Sequence, residues 1–290
     1  MGLTVELNPP GFLSENQKSA LIRLLGDESP AVHQAVREKI LSYGPSVISW
    51  LRPLTLSSEP ALRRRSQEII RHLSQAKADN RFLAFCLTEG DDLNLEQGVW
   101  LLAQTQYPEI NIEAYQAVFD SYAAELLETV DLRGDADQIL VAFNSYIFDT
   151  LRFKGNEDNY YDPENNYLNR VVDRRTGNPI NLCLLYLMLA RRLQLPITGI
   201  GLPGHFICRY QTASEEYYVD VFNNGKIWTR ADCVQYLLYR NITVQDELLS
   251  PVNPRRILMR VCGNLHQIYQ HLEMKEQVTR LHRYLIALAK

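Results

Sequence analysis

The spacing of apolar residues predicts a chain that is helical over most of its length. From residue 12 to about residue 129, apolar positions recur every three or four residues, and turn-forming residues separate the segments. The same spacing predicts further helices over residues 137–151, 163–173, 182–193, 229–240, 254–272 and 275–289. The last two have the lengths of a helical hairpin, and we expect them to pack rather than to carry chemistry.

A different pattern follows the apolar helix at 182–193. Three short runs of β-branched and aromatic residues predict strands over 197–202, 206–211 and 217–222, with an antiparallel hairpin joining at least the last two. Residues 153–167, rich in Asn, Asp, Gly and Tyr, predict a long ordered loop. The predicted fold class is therefore α+β and mainly helical, with an all-helical segment (1–130), a helix-on-antiparallel-sheet core (137–240) and a C-terminal helical hairpin (254–290).

One internal similarity lies in the N-terminal segment. Pro30-Ala-Val-His-Gln-Ala-Val-Arg-Glu-Lys-Ile40 aligns with Pro60-Ala-Leu-Arg-Arg-Arg-Ser-Gln-Glu-Ile-Ile70, each after a turn that contains acidic residues and serine. Proline is tolerated in the first turn of a helix, so both segments predict helix starts. The pair resembles HEAT-type helical repeats. The alternative is that two ordinary amphipathic helices begin alike.

Charge and composition narrow the function classes. The 290 residues carry a net charge of −4, which disfavours nucleic acid and anionic membrane surfaces as partners. The longest apolar run, residues 182–190, is too short for a bilayer span, and the N-terminus does not resemble a signal peptide, so we expect a cytoplasmic location. The five cysteines are an odd number without a CxxC pair, so we expect them to be reduced, and we predict neither a metal site nor a cofactor.

Candidate chemistry centres on His205, the one histidine outside the predicted helices. It follows Pro203-Gly204 at the predicted start of a strand, and Asp220 lies on the neighbouring strand. The hairpin can bring the two side chains together, and a carboxylate beside an imidazole fixes its tautomer, as the orienting member of a catalytic triad does. The alternative is a satisfied structural His–Asp pair.

A triad would also need a nucleophile, and Cys183 is the natural candidate. A thiol near a helix N-terminus is acidified by the helix dipole. The competing interpretation is a buried structural cysteine, because Cys183 lies inside the most apolar predicted helix. Cys208 alternates to the face opposite His205 and is a poor triad partner.

Several segments, in order, resemble the signature of the SirB family of transglutaminase-like proteins. The similarity runs from about residue 143 to residue 239, and its segments are Tyr160-Tyr-Asp-Pro163, Asn166-Tyr-Leu168, Arg174-Arg-Thr-Gly-Asn-Pro-Ile-Asn-Leu182, Leu202-Pro-Gly-His-Phe206 and Asp220-Val-Phe-Asn-Asn-Gly225. This resemblance implies a papain-related fold, in which a central helix packs on an antiparallel sheet and adjacent strands present His205 and Asp220.

The resemblance also bears on the nucleophile. In active transglutaminase-like enzymes a cysteine opens the central helix, about fifteen residues before a turn that corresponds here to Gln194-Leu-Pro196. Counting back leads to Pro179, and Cys183 lies about one helical turn deeper. The resemblance therefore implies that the nucleophile has been lost or replaced.

Two functional hypotheses result. The first is a non-catalytic or regulatory protein that binds another protein, with residues 156–167 in the recognition surface and Tyr160, Tyr161, Asn181 and Asn223 as binding residues. The second is a cysteine-dependent acyl transferase or peptidase, in which Cys183 attacks, His205 is the base and Asp220 orients it. The oligomeric state stays open.

Overall fold

A computed structural model describes residues 13–290 and divides the chain into two compact units, with the division after Ala78. Residues 1–12, where no signal peptide is predicted, lie outside the described residues. The division falls within one long helix, so each unit is described by itself.

The first unit is entirely helical where it is described. It contains α1 (Glu15–Leu25), α2 (Pro30–Ser42), α3 (Ile48–Leu51) and the first part of α4 (Pro60–Thr88), with short 3-10 helices between them. Leu25, Ile40 and Ile69 form part of its buried core. Arg65 ties α4 to the end of α1, because its Nη1 donates to the carbonyls of Leu25 (2.6 Å) and Asp27 (2.7 Å).

Both predicted helix starts in this unit are confirmed. Pro30 begins α2 and Pro60 begins α4. The two helices then differ, because α2 has 13 residues and α4 has 29. The HEAT-type repeat therefore stays a prediction that rests on the similarity of the two starts.

The second unit holds the remaining helices and every strand of the described residues. The helices are α5 (Leu95–Gln106), α6 (Ile112–Thr129), α7 (Ala136–Asn144), α8 (Leu168–Arg174), α9 (Pro179–Arg192), α10 (Arg230–Tyr239), α11 (Pro254–His271) and α12 (Lys275–Leu288). A π-helical turn, Ser145–Thr150, extends α7. A capping box starts α10, where the Thr229 and Asp232 side chains accept from each other's backbone N–H.

The sheet is antiparallel, as predicted. Four strands, β3 (Ile197–Ile200), β4 (Ile207–Gln211), β5 (Glu216–Asp220) and β6 (Lys226–Trp228), pair in chain order. Two very short strands, β1 (Lys154–Gly155) and β2 (Thr176–Gly177), pair in parallel beside it as a separate ladder. The α+β and mainly helical fold class is thus confirmed.

The strand alternation puts a different core on each face of this sheet. Cys208 and Val219 face the main core, which also contains the apolar residues of α9. Ile207 and Tyr218, one position away, face a smaller core shared with α10. The sheet is therefore covered by α9 on one face and by α10 on the other, and α9 is the central helix.

The boundary predicted near residue 130 differs from the division of the structure. Helices α5 and α6 share the main core with α9, and Trp100 packs edge-on against Phe119 within it. At the end of α9, Arg192 forms ion pairs with Glu96 (2.8 Å) and Asp120 (2.7 Å). The helical pattern continues unchanged across these elements, so it could not locate the division.

The C-terminal hairpin of α11 and α12 has nearly the predicted bounds. Arg255 in the first turn of α11 donates to the carbonyls of Leu288 and Ala287 at the end of α12 (both 2.8 Å), which closes the hairpin. Tyr269 of α11 shares a hydrogen bond with Tyr167 (3.0 Å) and so joins the hairpin to the segment before α8. Among residues 13–290, no helix combines the length and the apolar character of a bilayer span.

Candidate functional site

His205 and Asp220 lie side by side, as their spacing predicts. His205 follows the Pro203-Gly204 turn and lies two residues before β4. This strand begins at Ile207, one residue later than predicted. Its Nε2 lies 2.9 Å from Oδ1 of Asp220. The ring N–H does not point along the line to that oxygen, so the contact is close without having the geometry of a well-aligned hydrogen bond. Nothing among the described residues hydrogen-bonds Nδ1, the ring nitrogen away from Asp220.

The Asp220 carboxylate is completely buried at the end of β5. The backbone N–H of Asn223 donates to Oδ1 (3.3 Å) and its side-chain amide donates to Oδ2 (2.7 Å). Burial by itself raises the pKa of Asp220, but the contacts with His205 and Asn223 outweigh burial and hold the pKa below its usual value. The carboxylate is therefore kept ionised beside the imidazole.

The turn after Asp220 is held by a chain of hydrogen bonds to the central helix. Asn224 and Gly225 both adopt positive φ (55° and 73°). The Asn144 side chain donates to the Gly225 carbonyl (2.8 Å) and accepts from the Tyr186 hydroxyl of α9 (3.0 Å). A Cβ at Gly225 would lie 2.5 Å from Asn144, so only glycine fits this close approach.

A cavity of about 1000 Å³ opens beside His205, and we call it the His205 cavity. Three rings surround the imidazole, with centroids 6.0 to 6.4 Å from it: Tyr236, Trp228 and Phe222. Tyr160 packs edge-on against Phe222 and extends this aromatic wall. The Tyr236 hydroxyl also donates to the carbonyl of Pro203, which fixes α10 to the turn before His205.

Further walls of the His205 cavity come from four elements. They are the loop at 156–167, the start of α9, the end of α10 and one side of α11, which contribute Tyr160, Tyr161, Asn178, Pro179, Ile180, Tyr236, Arg240, Arg260, Asn264, Gln267, Ile268 and His271. The closing hairpin was expected to pack only. The contribution of α11 corrects that expectation, because one side of this helix is cavity wall.

The predicted ordered loop is held together by its own asparagines. Asn165 is fully buried, and its amide donates to the carbonyls of Asn159 (2.8 Å) and Tyr160 (3.2 Å). Its oxygen accepts from the Asn156 amide (2.9 Å). These bonds fix the backbone that carries Tyr160 and the 72% exposed Tyr161 at the cavity.

The structure does not bring Cys183 to the His205 cavity. Its side chain is fully buried, and its sulfur donates to the Phe206 carbonyl (3.4 Å). Burial, followed by the hydrogen bond and charge of Cys208, raises the pKa of the Cys183 thiol well above its usual value. A buried, protonated thiol is a poor nucleophile, so this geometry argues against the predicted attacking role.

Pro179 is the residue that opens α9 at the cavity. Asn178 caps the helix, and its Oδ1 accepts from the backbone N–H of Asn181 (3.0 Å) and from the Asn181 amide (3.1 Å). Asn181 is fully buried and lies outside the cavity walls, so it supports the helix start, whereas Tyr160, Tyr161 and Asn223 of the predicted binding set do line the cavity.

The described arrangement includes an imidazole base but no thiol or aliphatic hydroxyl on the cavity walls. His205 presents Nδ1 with Asp220 2.9 Å behind Nε2, which is the position from which a carboxylate orients a general base once the Nε2–H bond is aligned. Among the described residues that line the cavity, none is a cysteine, serine or threonine. Arg240 and Arg260 also line it, and sequence reasoning missed both because they come from distant helices without a local motif.

Comparisons with known proteins agree with this architecture. The sequence profile of the transglutaminase-like superfamily matches residues 113–263, which span α6 to the middle of α11. No solved structure gives a significant match.

Two groups of relatives are similar to the chain. A UPF0162 protein of Xylella fastidiosa (strain 9a5c) is 32% identical over 198 residues, covering 66% of this chain and 70% of that protein. Human F-box only protein 21 is 32% identical over 232 residues, covering 69% of this chain but only 36% of that protein. Because the family profile covers more than half of the residues and encloses α9, the sheet and the His205–Asp220 pair, the chain belongs to the transglutaminase-like superfamily.

Proposed function

We propose that the second unit is a non-catalytic interaction or regulatory module, whose His205 cavity binds a segment of another protein. The observation that carries this proposal is the start of the central helix. Pro179 lines the cavity at the place where a nucleophile would be needed, and the nearest thiol in sequence, Cys183, is fully buried. A site with an imidazole beside a carboxylate, but without a thiol or aliphatic hydroxyl among its described lining residues, is suited to binding.

The chemistry of the cavity walls supports a peptide as the ligand. Aromatic rings provide large contact area at low conformational cost, and the amides of Asn223 and Gln267 can pair with a backbone. The hydrogen bonds of Asn165 hold the Tyr160 and Tyr161 segment in place before a ligand arrives, which lowers the entropic cost of binding.

Two finer assignments accompany this proposal. The ordered motifs from Tyr160 to Gly225 support membership of the SirB family within the superfamily. All five cysteines are free thiols, which supports a reducing, cytoplasmic environment.

The test is site-specific photo-crosslinking in the cell of origin. A benzoyl-phenylalanine at exposed Tyr161 should capture a discrete partner, whereas the same group at Leu127, which is exposed but remote from the cavity, should not. Filling the cavity with Asn264→Trp should abolish capture at Tyr161. Gln270→Trp, on an exposed position of the same helix outside the cavity, should leave capture intact. Capture that persists in Asn264→Trp contradicts the proposal.

A second candidate is cysteine-dependent acyl transfer or peptide hydrolysis, with Cys183, His205 and Asp220 in the roles of a triad. The close His205–Asp220 contact favours it. It requires a structural change that exposes the Cys183 sulfur and brings it within hydrogen-bonding reach of His205. Selective alkylation of Cys183 by iodoacetamide, suppressed in His205→Ala, would support this candidate over the first.

A further inference from the structure

Two arginines line the His205 cavity without an acidic partner. Arg240 lies at the C-terminal end of α10 and Arg260 lies in α11. Neither forms an ion pair with any of residues 13–290, although nine other arginine-to-carboxylate contacts occur within 4 Å among those residues, six of them made by Arg170, Arg174 and Arg192. Arg260 is half-buried, so water compensates its charge less than it would on an open surface, whereas Arg240 is exposed and lies at the rim of the cavity.

Arg260 is fixed in place but only partly used. Its Nη2 donates to the carbonyls of Leu202 (2.8 Å) and His205 (2.6 Å), and its guanidinium lies 5.5 Å from the Phe206 ring. Its Nη1 and Nε have no hydrogen-bond partner among the described residues. Burial lowers the pKa of Arg260, as expected for a cation without a carboxylate partner, but the guanidinium remains charged at neutral pH.

Arg240, at the end of α10, lies against the Pro203-Gly204 turn. Its guanidinium lies over the Tyr236 ring (5.2 Å), and its Nη1 is so close to Gly204 that a Cβ there would be 2.8 Å away. The guanidinium makes no hydrogen bond with any of the described residues. All of its donors are therefore available to a ligand.

No carboxylate on the described cavity walls is free to balance the positive charges of Arg240 and Arg260. Of the described residues that line it, Asp220 is the one carboxylate, and His205 and Asn223 already contact it. The charges of the two arginines both reach the same two tyrosine hydroxyls in the cavity wall. Burial raises the pKa of both Tyr160 and Tyr236, and the charges of Arg240 and Arg260 oppose that increase at each hydroxyl.

We infer that the His205 cavity recognises a carboxylate on its peptide ligand, held by the free donors of Arg240 and Arg260. This inference rests on the proposed function and names the chemistry of the partner segment. The planar guanidinium fork matches a carboxylate, and the aromatic rings and amides around it suit the rest of a peptide. The carboxylate is either an Asp or Glu side chain or a C-terminus.

The two sources of carboxylate can be separated with a displayed library of random twelve-residue peptides. One arm presents the peptides with free C-termini, and the other presents them with both ends joined to carrier sequence. Each is selected on the full chain. Enriched peptides are then synthesised with a fluorophore, and their dissociation constants are measured by anisotropy. Enrichment of Asp or Glu in both arms indicates a side chain, and enrichment confined to free C-termini indicates the chain end.

Three variants test the two arginines. Arg240→Gln should weaken binding of the enriched peptide about threefold or more, since the positive charge and the free donors at the cavity rim are lost. Arg260→Lys keeps the charge but loses the fork and should also weaken it. Arg256→Gln is the control, because Arg256 is exposed on α11 outside the cavity. Its affinity should stay within about twofold of the wild type. Circular dichroism checks that each variant folds. Arg240→Gln should fold normally, because the Arg240 side chain makes no hydrogen bond with any described residue.

The outcomes separate this inference from the function on which it rests. Enrichment of peptides without acidic residues or free C-termini overturns the inference and leaves the proposed function standing. Equal affinity for wild type and Arg240→Gln also overturns it, as does a preference for a phosphoserine peptide over its acidic counterpart. If the wild type enriches no peptide in either arm, the proposed function fails and the inference fails with it.

Discussion

Pro179 and His205 lie on the walls of the same cavity, and Pro179 is the first residue of the central helix. Proline fits this position because the first N–H groups of a helix have no partner within it. The same position is favourable for a thiolate, since the helix dipole and the free N–H groups stabilise negative charge. The chain therefore has a helix N-terminus and an imidazole on one cavity, as a thiol site requires, but it has Pro179 instead of a cysteine at the helix start.

Replacing Pro179 with cysteine should create a reactive thiol. In Pro179→Cys we expect iodoacetamide to label residue 179 at neutral pH, and His205→Ala in the same background should slow the labelling about tenfold, since the imidazole no longer supports the thiolate. Mass spectrometry of the digested protein measures the rate at each cysteine.

Gln270→Cys is the matched control for this experiment. It puts a thiol on an exposed position of α11 outside the cavity, and its labelling rate should not respond to His205→Ala. Equal effects of His205→Ala on both cysteines would show that residue 179 does not face the imidazole.

Gly225→Ala should destabilise the second unit. Gly225 has φ 73°, and an added Cβ would lie 2.5 Å from Asn144, which holds the turn after Asp220. We expect a loss of about 2–3 kcal/mol in the free energy of unfolding, measured with urea.

The contrasting substitution is Gly263→Ala. A Cβ at Gly263, inside α11, would meet nothing within 4 Å, so it should raise the free energy of unfolding by about 0.5–1 kcal/mol. Similar effects of both alanines would contradict the description of the turn.

Asp220 should make stability depend on acidic pH. Its pKa in the folded protein lies below the unfolded value of about 3.9, so the folded state binds fewer protons and the carboxylate stabilises the fold above that value. This contribution is lost as the pH falls through the folded pKa. The stability difference between wild type and Asp220→Asn should therefore be largest at neutral pH and shrink below about pH 4. Urea unfolding from pH 7 to pH 2 measures it, and a constant difference would argue against an ionised, stabilised Asp220.

Asn165→Ala should loosen the loop that carries Tyr160 and Tyr161. It removes two donated hydrogen bonds and one accepted bond at a fully buried residue, so we expect a loss of about 2–3 kcal/mol. Partner capture at Tyr161 should fall with it. Asn80→Ala, at an exposed helical position, should change neither stability nor capture. Loss of capture in both variants would contradict a specific role of the loop in partner binding.

Much of the fold could be predicted because the helices and the three longer strands carry clear periodicity. The start of α9 was predicted at Leu182, three residues late, although Asn178-Pro179 is a cap followed by a first-turn proline. Strand β6 was missed because Lys226–Trp228 has three residues, too few for a visible alternation. The predicted strand at 217–222 ends at Asp220 because Asn224, in the left-handed conformation, closes a short 3-10 turn.

The candidate site could be predicted only where its residues are close in sequence. His205 and Asp220 flank one hairpin, so their spacing was sufficient to predict the contact. Arg240 and Arg260 come from two helices beyond the sheet, and helix packing alone brings them to the cavity. The burial of Cys183 likewise depends on how α9 packs against the Phe206 backbone, which no local pattern reports.

The central claim, that the His205 cavity binds rather than performs thiol chemistry, is tested most directly by mapping cysteine alkylation in the native protein. All five cysteines are buried, and burial raises the pKa of Cys183, so we predict no modification of Cys183 by iodoacetamide at neutral pH and modification of all five in denaturant. Rapid alkylation of Cys183 in the native protein, lost in His205→Ala, would contradict the account.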